Sequence, residues 1–318
     1  MAPVSATSTQ IANIAGPLLV GYLLSWGLYG ALSVQVYIYY LTSRTDALFQ
    51  KLLVYGVFIL ETLQAILVAH DAFDSFVSGF GNFEILAGVH LTWLTMPVLS
   101  GIVAFFVQLF YAHRIITLSK SWVIGGEHLV PFQLAVLQLA GALISGIEGI
   151  KAGSILKLTL KIDHIGHGLF DITSGVCDLV IATCMSFYLY RMDKGSLDST
   201  HAIVNRIMRL IIGTGTLTAT VAIIDISLYY SGADMHKGWF LTPAVILGRL
   251  YSNSMMVVFN SRVDFISGHG RTVSYTGDVV LSNPLGSFRP PETDSIHIDR
   301  ETWDGHNRFP MPKSDDNR

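Results

Sequence analysis

The stretch PAVILGRLYSNSMMVVFNSR, residues Pro243 to Arg262, reads as an apolar helix that carries one cation, Arg249, near its middle. At 1.5 Å per residue such a helix is about 30 Å long, which matches the hydrocarbon core of a bilayer. An isolated charge at that depth costs roughly 3 to 10 kcal/mol or more, so a membrane-embedded arginine faces other helices and pairs with an acid. The stretch therefore predicts a membrane protein built from several helices around a polar interior.

The composition of the 318-residue chain supports a membrane location. Hydrophobic residues make up 51% of the chain and charged residues 14%, whereas charged residues are about a quarter of an ordinary soluble domain. The mean hydropathy is +0.50. The net charge is only -3, and the basic residues do not cluster, which argues against nucleic-acid binding. We therefore expect the lipid bilayer, and no nucleic acid, as a partner.

Outward from the opening stretch, the apolar residues fall into seven runs, each long enough to cross a bilayer as a helix. The sequence thus predicts an all-α, polytopic membrane protein with a seven-transmembrane-helix bundle over residues 14–262. A short tail, 1–13, precedes the bundle, and a segment rich in Gly, Pro, Ser and Asp, 263–318, is predicted to be a disordered cytoplasmic tail. The predicted spans are about 14–41, 52–70, 90–116, 130–150, 166–190, 207–230 and 239–260.

The distribution of Lys and Arg predicts the orientation of the bundle, because short cytoplasmic loops are enriched in them. One side of the predicted bundle carries Arg44, Lys51, Arg114, Lys120, Arg191, Lys194, Arg206, Arg209, Arg262 and Arg271. The other side carries Lys151, Lys157, Lys161 and Lys237. The balance predicts that the N-terminus is outside and the C-terminus cytoplasmic, in the plasma membrane or another secretory-pathway membrane.

Polar residues within the apolar runs are predicted to form a buried polar network or ligand pocket around Arg249. His167, Asp171, Ser174 and Asp178 recur at spacings of four, three and four, so they share one face of the fifth span. By depth in the bilayer, Glu61 and Asp178 are the acids nearest to Arg249. An equally good interpretation is structural, with ion pairs and hydrogen bonds that hold the helices together. The predicted set is Glu61, Asp171, Ser174, Asp178, Asp225, Arg249 and Asn253.

Histidines and aspartates at the outer ends of the spans suggest a metal site as a further hypothesis. Asp163, His164, His167 and Asp171 form the pattern D-H-x-x-H-x-x-x-D, and zinc accepts imidazole nitrogen and carboxylate oxygen as ligands. The alternative is that these side chains cap helix ends at the membrane surface. The candidate metal ligands are His70, Asp74, His90, His164, His167 and Asp171.

Three classes of function are compatible with these patterns. The first is a receptor-like protein or sensor with an outward-opening polar pocket for a small ligand, and with a cytoplasmic partner at the third intracellular loop and the tail. The second is a transporter or proton-coupled carrier, and the third is a metal-dependent membrane hydrolase. No cofactor is predicted: a retinal Schiff base needs a lysine in the last span, which contains Arg249 instead.

Six segments of the chain resemble a family of seven-helix membrane proteins that is abundant in mushroom-forming fungi. They are WGLYGALSVQVYIYYL (26–41), LVYGVFILETLQAILVAHDAF (53–73), FVQLFYAHRI (106–115), CDLVIATCMSFYL (177–189), TGTLTATVAIID (214–225) and GRLYSNSMMVVFNSR (248–262). The resemblance implies a domain of unknown function at about residues 172–262 and implies no activity or ligand. Many members of that family have a basic residue, often Lys, at the position of Arg249.

Overall fold

The computed structural model describes residues 8–43, 46–119, 129–155, 157, 165–193, 198–230 and 238–261. This part of the chain is all-α, and π-helical turns at Asp74–Ser78 and Leu94–Leu99 adjoin the second and fourth helices. The helices are α1 (Ser8–Thr42), α2 (Leu48–Phe73), α3 (Phe83–Leu86), α4 (Ser100–Ser119), α5 (Leu129–Ala152), α6 (Ile165–Asp193), α7 (Asp198–Tyr230) and α8 (Leu241–Asn260). Helix α1 thus begins inside the stretch predicted as a tail, and the predicted tail 263–318 lies outside the described residues.

Six helical segments among the described residues are long and apolar enough to cross a membrane. They are Ile11–Thr42, Leu48–Ser78, Leu94–Thr117, Val130–Ala152, Ile165–Arg191 and Met208–Tyr230. Their outward faces are apolar: Leu23, Ile59 and Ile223 are each at least 60% exposed. So much exposed aliphatic surface is unfavourable in water but matches lipid. The chain is therefore an integral membrane protein with several spans. Helix α8, which overlaps the seventh predicted span, is not among the six.

Helix α8 occupies the interior of the bundle. It packs against α1, α2, α4 and α7, and its residues are buried along almost the whole helix. Glycines allow two of these approaches. A Cβ atom at Gly21 of α1 would lie 3.3 Å from the Cα of Thr242, and one at Gly248 would lie 2.6 Å from Ser100 Oγ of α4. Because the backbones meet at these points, the glycines fix the faces that α8 presents to α1 and α4.

Contacts between helix ends show that successive long helices run in alternating directions. At one end of the bundle, Thr242 Oγ1 donates a hydrogen bond to Pro17 O at 2.7 Å, which joins the beginnings of α8 and α1. The connections that follow α2 and α5 meet there through an isolated antiparallel bridge between Gly88 and Ser154. We refer to this end, which holds the ends of α2, α5 and α7 and the beginnings of α1, α4, α6 and α8, as the cavity end.

The opposite end, referred to as the far end, is held by aromatic rings and a side-chain amide. Asn260 Nδ2 donates to Gln35 O at 2.8 Å, which joins the ends of α8 and α1. The Phe259 ring stacks on Phe110 of α4 at 4.6 Å and meets the edge of Tyr39 at 5.5 Å. The two ends of the bundle therefore have separate apolar clusters, and buried polar side chains lie between and beside them.

Close glycine contacts also set the position of α6, which carries most of the predicted polar face. A Cβ atom at Gly141 of α5 would lie 2.7 Å from Phe170 N, and one at Gly166 of α6 would lie 2.4 Å from Ser145 N. Helices α5 and α6 are thus in backbone contact near the cavity end. This contact places His167, the next residue after Gly166, against the ends of α5 and α7.

Candidate functional site

Arg249 is paired with Glu61 of α2 in the centre of the bundle. Its Nη1 atom donates a hydrogen bond to Glu61 O at 2.8 Å and forms an ion pair with Glu61 Oε2. The Nε atom donates to Ser25 Oγ of α1 at 3.2 Å, and the guanidinium lies 5.3 Å from the centre of the Tyr29 ring. Both charged residues are completely buried. Of the two acids expected near Arg249, Glu61 is therefore the one that pairs with it.

Two amide side chains extend this first cluster along α8 and towards α4. Asn253, one turn after Arg249, donates to Arg249 O at 2.7 Å and to Leu28 O at 3.2 Å. Gln64, one turn after Glu61 on α2, donates to Thr95 O at 2.7 Å and to Ser100 Oγ at 3.2 Å. The first cluster thus ties α1, α2, α4 and α8 together, which is the arrangement expected of a structural ion pair.

Asp178 belongs to a second cluster, formed by α6, α7 and α8. Its Oδ2 atom accepts hydrogen bonds from Tyr251 Oη at 2.8 Å and from the hydroxyl of Thr218. The Tyr251 hydroxyl also bonds to Ser174. Residues Asp178 and Ser174, one turn apart on α6, therefore share Tyr251 as a partner. With two hydroxyl donors on one oxygen, this buried carboxylate is held by neutral groups and has no contact with Arg249 among the described interactions.

The third cluster lies at the cavity end and consists of His167, Asp171 and Asp225. His167 Nε2 is 3.4 Å from Asp171 Oδ2, one turn along α6, and 3.6 Å from Asp225 Oδ1 of α7. Each of the three residues offers one atom that could bind a metal ion, and these three atoms lie within 4.8 Å of one another. The rings of Tyr229 and Phe240 flank the imidazole, with centroids 4.1 Å and 5.8 Å away.

The third cluster differs from the other two because its carboxylates have no hydrogen-bond donor in the described part of the chain. Both oxygens of Asp171 and both oxygens of Asp225 are buried without a hydrogen bond, as is His167 Nε2. Asp171 is 2% exposed and Asp225 1% exposed. His167 lies at ion-pair distance from both carboxylates, and one imidazolium would balance only one of these two buried charges. The arrangement is therefore suited to hold a cation.

A cavity adjoins this third cluster. Its volume is about 60 Å³, enough for several water-sized groups. The wall is mostly apolar, with His167, Asp225, Thr92 and Ser145 as its polar side chains. The π-helical turn at Leu94–Leu99 contributes Met96 and Pro97, and π-helical turns are frequent at functional sites. The cavity and the third cluster together form the candidate functional site.

Of the remaining candidate metal ligands, those among the described residues do not join this group of three. His70 Nδ1 lies 3.3 Å from Asp74 Oδ2, and the His70 side chain is 62% exposed. The imidazole of His90 contacts the backbone carbonyl of Ile85, with 2.8 Å between Nε2 and the oxygen. His164 and Asp163 lie outside the described residues. The described residues thus bring His167 and Asp171 together with Asp225, which the sequence pattern had assigned to the polar network alone, and the metal site stays a prediction.

The structure thus divides the predicted network into three clusters. Glu61, Arg249 and Asn253 lie in the first, Ser174 and Asp178 in the second, and Asp171 and Asp225 in the third. Sequence analysis missed Tyr251 and Thr218, the two donors to Asp178, and the aromatic rings around His167. Hydroxyls and tyrosines are common in membrane helices, so the sequence offered no signal that would single these out.

Comparison with known proteins adds a family match over part of the chain. Residues 174–264 match the model of a family described as a family of unknown function (DUF6534). The match supports the domain of unknown function that was expected at about residues 172–262. None of the curated proteins and none of the solved structures matches the chain. The matched segment contains Asp178, Asp225 and Arg249, whereas Glu61, His167 and Asp171 lie before it.

Proposed function

We propose that the chain is a receptor-like or sensor membrane protein whose small ligand occupies the cavity beside His167 and Asp225. The observation that carries this proposal is the coincidence of a cavity with buried polar atoms that have no hydrogen-bond partner in the described part of the chain. Pockets of this kind, apolar with a few convergent polar groups, are typical of ligand sites. In the other two clusters Glu61 has Arg249 as a counter-charge, and Asp178 accepts hydrogen bonds from two hydroxyls.

The proposal treats α8 as the seventh transmembrane helix. Its 20 residues would span about 30 Å, enough to cross the hydrocarbon core. The residues that lower its hydropathy include Arg249, Ser252 and Asn253, and all three bond to other groups inside the bundle. A helix enclosed by other helices needs no lipid-facing apolar surface, which accounts for its polar character.

The proposed orientation has the N-terminus outside, so the cavity opens outward. It rests on the balance of Lys and Arg between the two sides and on the alternating direction of the helices. The far end then faces the cytoplasm and carries Arg206 and Arg209. A cytoplasmic partner would bind there, at the connection between α6 and α7 and at the tail, and the membrane would be the plasma membrane or another secretory-pathway membrane.

Helix α6 provides the route from the ligand to the far end. His167 borders the cavity, and Asp171 lies one turn further along α6. Ser174 and Asp178 continue the same face towards Tyr251 and Thr218. A ligand that draws the carboxylates of Asp171 and Asp225 together would change the packing of α6 on α7. Because Asp178 also connects these helices, the change would reach the second cluster as a shift of rigid elements.

The test is a binding and response measurement on the full chain in lipid nanodiscs. Thermal unfolding is followed with a panel of divalent metal ions, protonated amines and neutral metabolites. Any compound that raises the unfolding temperature is then tested for an effect on amide hydrogen exchange at the far end, around Ile211 and Ile115. A sensor is expected to show both effects.

Matched variants localise the binding. Ala244 lines the cavity, so Ala244→Phe should fill it and remove the stabilisation by the compound. Val136 lies on the outer face of α5 and is 45% exposed, so Val136→Phe should leave the stabilisation unchanged. The proposal is overturned if no compound in the panel stabilises the protein, or if Ala244→Phe responds as the unchanged chain does.

A carrier is the second candidate, because polar groups extend from the cavity to a small pocket near the far end. That pocket, of about 20 Å³, is lined by Asp178, Thr218 and Tyr251, and buried carboxylates in such a row could relay protons. Uptake of the stabilising compound into proteoliposomes, or a change in their internal pH, would identify a carrier. A sensor is expected to bind the compound without accumulating it.

A further inference from the structure

We propose that His167, Asp171 and Asp225 bind a divalent transition-metal ion such as Zn²⁺, with an open coordination position that faces the cavity. This inference rests on the proposed function, in which the cavity is the ligand site, and it names the class of ligand. It adds Asp225 of α7 to the ligands suggested by the D-H-x-x-H-x-x-x-D pattern, whose residues all lie in α6 or directly before it.

Two of the three distances between the ligand atoms match a tetrahedral ion, and the third, between Asp171 and Asp225, is at most 4.8 Å. Ligands at about 2.0 to 2.2 Å from a tetrahedral zinc ion are roughly 3.4 Å from one another. His167 Nε2 lies 3.4 Å and 3.6 Å from the nearest oxygens of Asp171 and Asp225. Three protein ligands with one open position are the arrangement of zinc sites that bind a water or a substrate.

The chemistry of the three ligands favours a transition metal over calcium or magnesium. Imidazole nitrogen binds Zn²⁺ and related ions, whereas Ca²⁺ and Mg²⁺ prefer shells made of oxygen alone. Ca²⁺ also requires six to eight oxygen ligands. The third cluster offers one imidazole and two carboxylates on rigid helices, and its charge of -2 with a neutral imidazole would be balanced by a divalent ion.

Burial supplies the energetic reason for a cation. Glu61 is neutralised by Arg249, and Asp178 accepts two hydroxyl hydrogen bonds. Asp171 and Asp225 have only the single imidazole of His167 between them, and their four oxygens have no hydrogen-bond donor in the described part of the chain. Two neighbouring buried carboxylates repel each other when both are ionised, and a cation between them removes that repulsion. A metal ion would satisfy both.

The position of the cluster allows an ion to reach it from water. His167 is the third residue of α6, and Asp225 lies five residues before the end of α7, about 7.5 Å below that end. The His167 side chain is 10% exposed, and Asp225 borders the cavity. The cavity, of about 60 Å³, has room for a metal-bound water and a few further small groups.

The experiment measures metal binding by the full chain in lipid nanodiscs. The protein is stripped with a chelator and dialysed against Zn²⁺ in the presence of excess Mg²⁺ and Ca²⁺, and bound zinc is counted by mass spectrometry of the metal. One zinc ion per chain is expected. His167→Gln and Asp225→Asn should each weaken the affinity for zinc by more than about 100-fold. Loss of a residue that only hydrogen-bonds to a metal ligand already costs about 10- to 100-fold.

Two control variants test the assignment to this cluster. Asp178→Asn removes a buried acid two turns further along α6 that is satisfied by hydroxyls, and it should leave zinc binding unchanged. His70→Ala removes the exposed histidine that lies beside Asp74, and it should also have no effect. If zinc binding is lost in His70→Ala and kept in Asp225→Asn, the proposed site is wrong.

X-ray absorption at the zinc edge tests the proposal on the unmodified chain, so it does not depend on whether the variants fold. One imidazole and a remaining shell of oxygen are expected. Absence of stoichiometric zinc, or a shell with sulfur or several imidazoles, overturns the proposal.

If zinc is absent but another compound of the panel stabilises the protein and changes hydrogen exchange at the far end, the metal site is wrong and the sensor stands. If zinc binds without any change at the far end, the metal site stands and the sensor is wrong.

Discussion

Arg249 and Glu61 are the most deeply buried charged pair among the described residues, and each depends on the other. Both have 0% exposure. Removal of one partner from a buried pair leaves an uncompensated charge, whereas removal of both leaves only a packing defect. Ser25 and the carbonyl of Glu61 provide further hydrogen bonds to the guanidinium, so the pair contributes more to the specificity of helix packing than an exposed ion pair would.

A double-mutant cycle on this pair should show strong coupling. Arg249→Met alone is expected to lower the free energy of unfolding by about 3 to 5 kcal/mol, because Glu61 loses its counter-charge. The double variant Glu61→Gln/Arg249→Met should recover most of that loss. Unfolding in mixed detergent micelles gives the free energies. Ser25→Ala serves as the control, with an expected loss of about 0.6 kcal/mol, the average for a hydrogen bond between membrane helices. Additive effects of the two substitutions would contradict the prediction.

Tyr251 should contribute less than Arg249 to the free energy of unfolding. One of its partners, Ser174, is neutral, and the other, Asp178, has a second hydrogen-bond donor. Tyr251→Phe removes the hydroxyl that donates to Asp178 and bonds to Ser174, and Thr218 still donates to Asp178. The expected loss is about 0.6 to 1.7 kcal/mol in the same unfolding assay. Tyr37→Phe is the matched control: Tyr37 is 63% exposed, and no measurable change is expected. A loss as large as that of Arg249→Met would mean that Asp178 depends on Tyr251 alone.

At the scale of helices, glycines decide which elements come into backbone contact. Gly248 faces Ser100 where α8 meets α4, and Gly141 faces Phe170 where α5 meets α6. The first contact lies next to Gln64, which bonds to Ser100, and the second lies close to the third cluster. At other helical glycines, such as Gly213, a Cβ atom would have no neighbour within 4 Å among the described residues, so these glycines have no comparable packing role.

Gly248→Ala should therefore destabilise the bundle, and Gly213→Ala should not. A Cβ atom at position 248 would lie 2.6 Å from Ser100 Oγ, 2.8 Å from its Cβ and 3.0 Å from its Cα. Since the Ser100 backbone is involved, α4 must move away from α8, at a cost of about 1 to 3 kcal/mol. Alanine at position 213 meets no such contact and favours the helix by up to about 1 kcal/mol. The two unfolding temperatures, measured in nanodiscs, should shift in opposite directions.

At the scale of the whole molecule, the orientation in the membrane is open to a direct test. Glu84→Thr completes an Asn-x-Thr acceptor at Asn82, which is exposed at the cavity end. Lys194→Asn completes an Asn-x-Ser acceptor in the connection between α6 and α7. If the cavity end faces the lumen during synthesis, a shift in gel mobility that glycosidase removes should occur for Glu84→Thr only. Glycosylation of Lys194→Asn instead would reverse the orientation and place the cavity on the cytoplasmic side.

The sequence alone determined that this chain is an integral membrane protein with several helical spans, because long apolar runs have few stable alternatives to spanning helices. The periodicity of His167, Asp171, Ser174 and Asp178 also identified the polar face of α6. A helical period specifies which residues of one helix share a face, and this is a property of local geometry. The predictions of a carrier and of a hydrolase stay predictions, as does the seventh span.

Only the tertiary structure decided which polar residues meet. Glu61 and Arg249 are 188 residues apart in the chain, and nothing in either segment specifies how the two helices are rotated towards each other. Backbone contacts such as Gly21 with Thr242 and Gly248 with Ser100 fix the faces that α8 presents to α1 and α4. As a result Arg249 pairs with Glu61 and Asp178 bonds to Tyr251, while Asp171 and Asp225 are left with His167 beside a cavity. The physical reason is that pairing energies act between helices, and the sequence pattern describes each helix by itself.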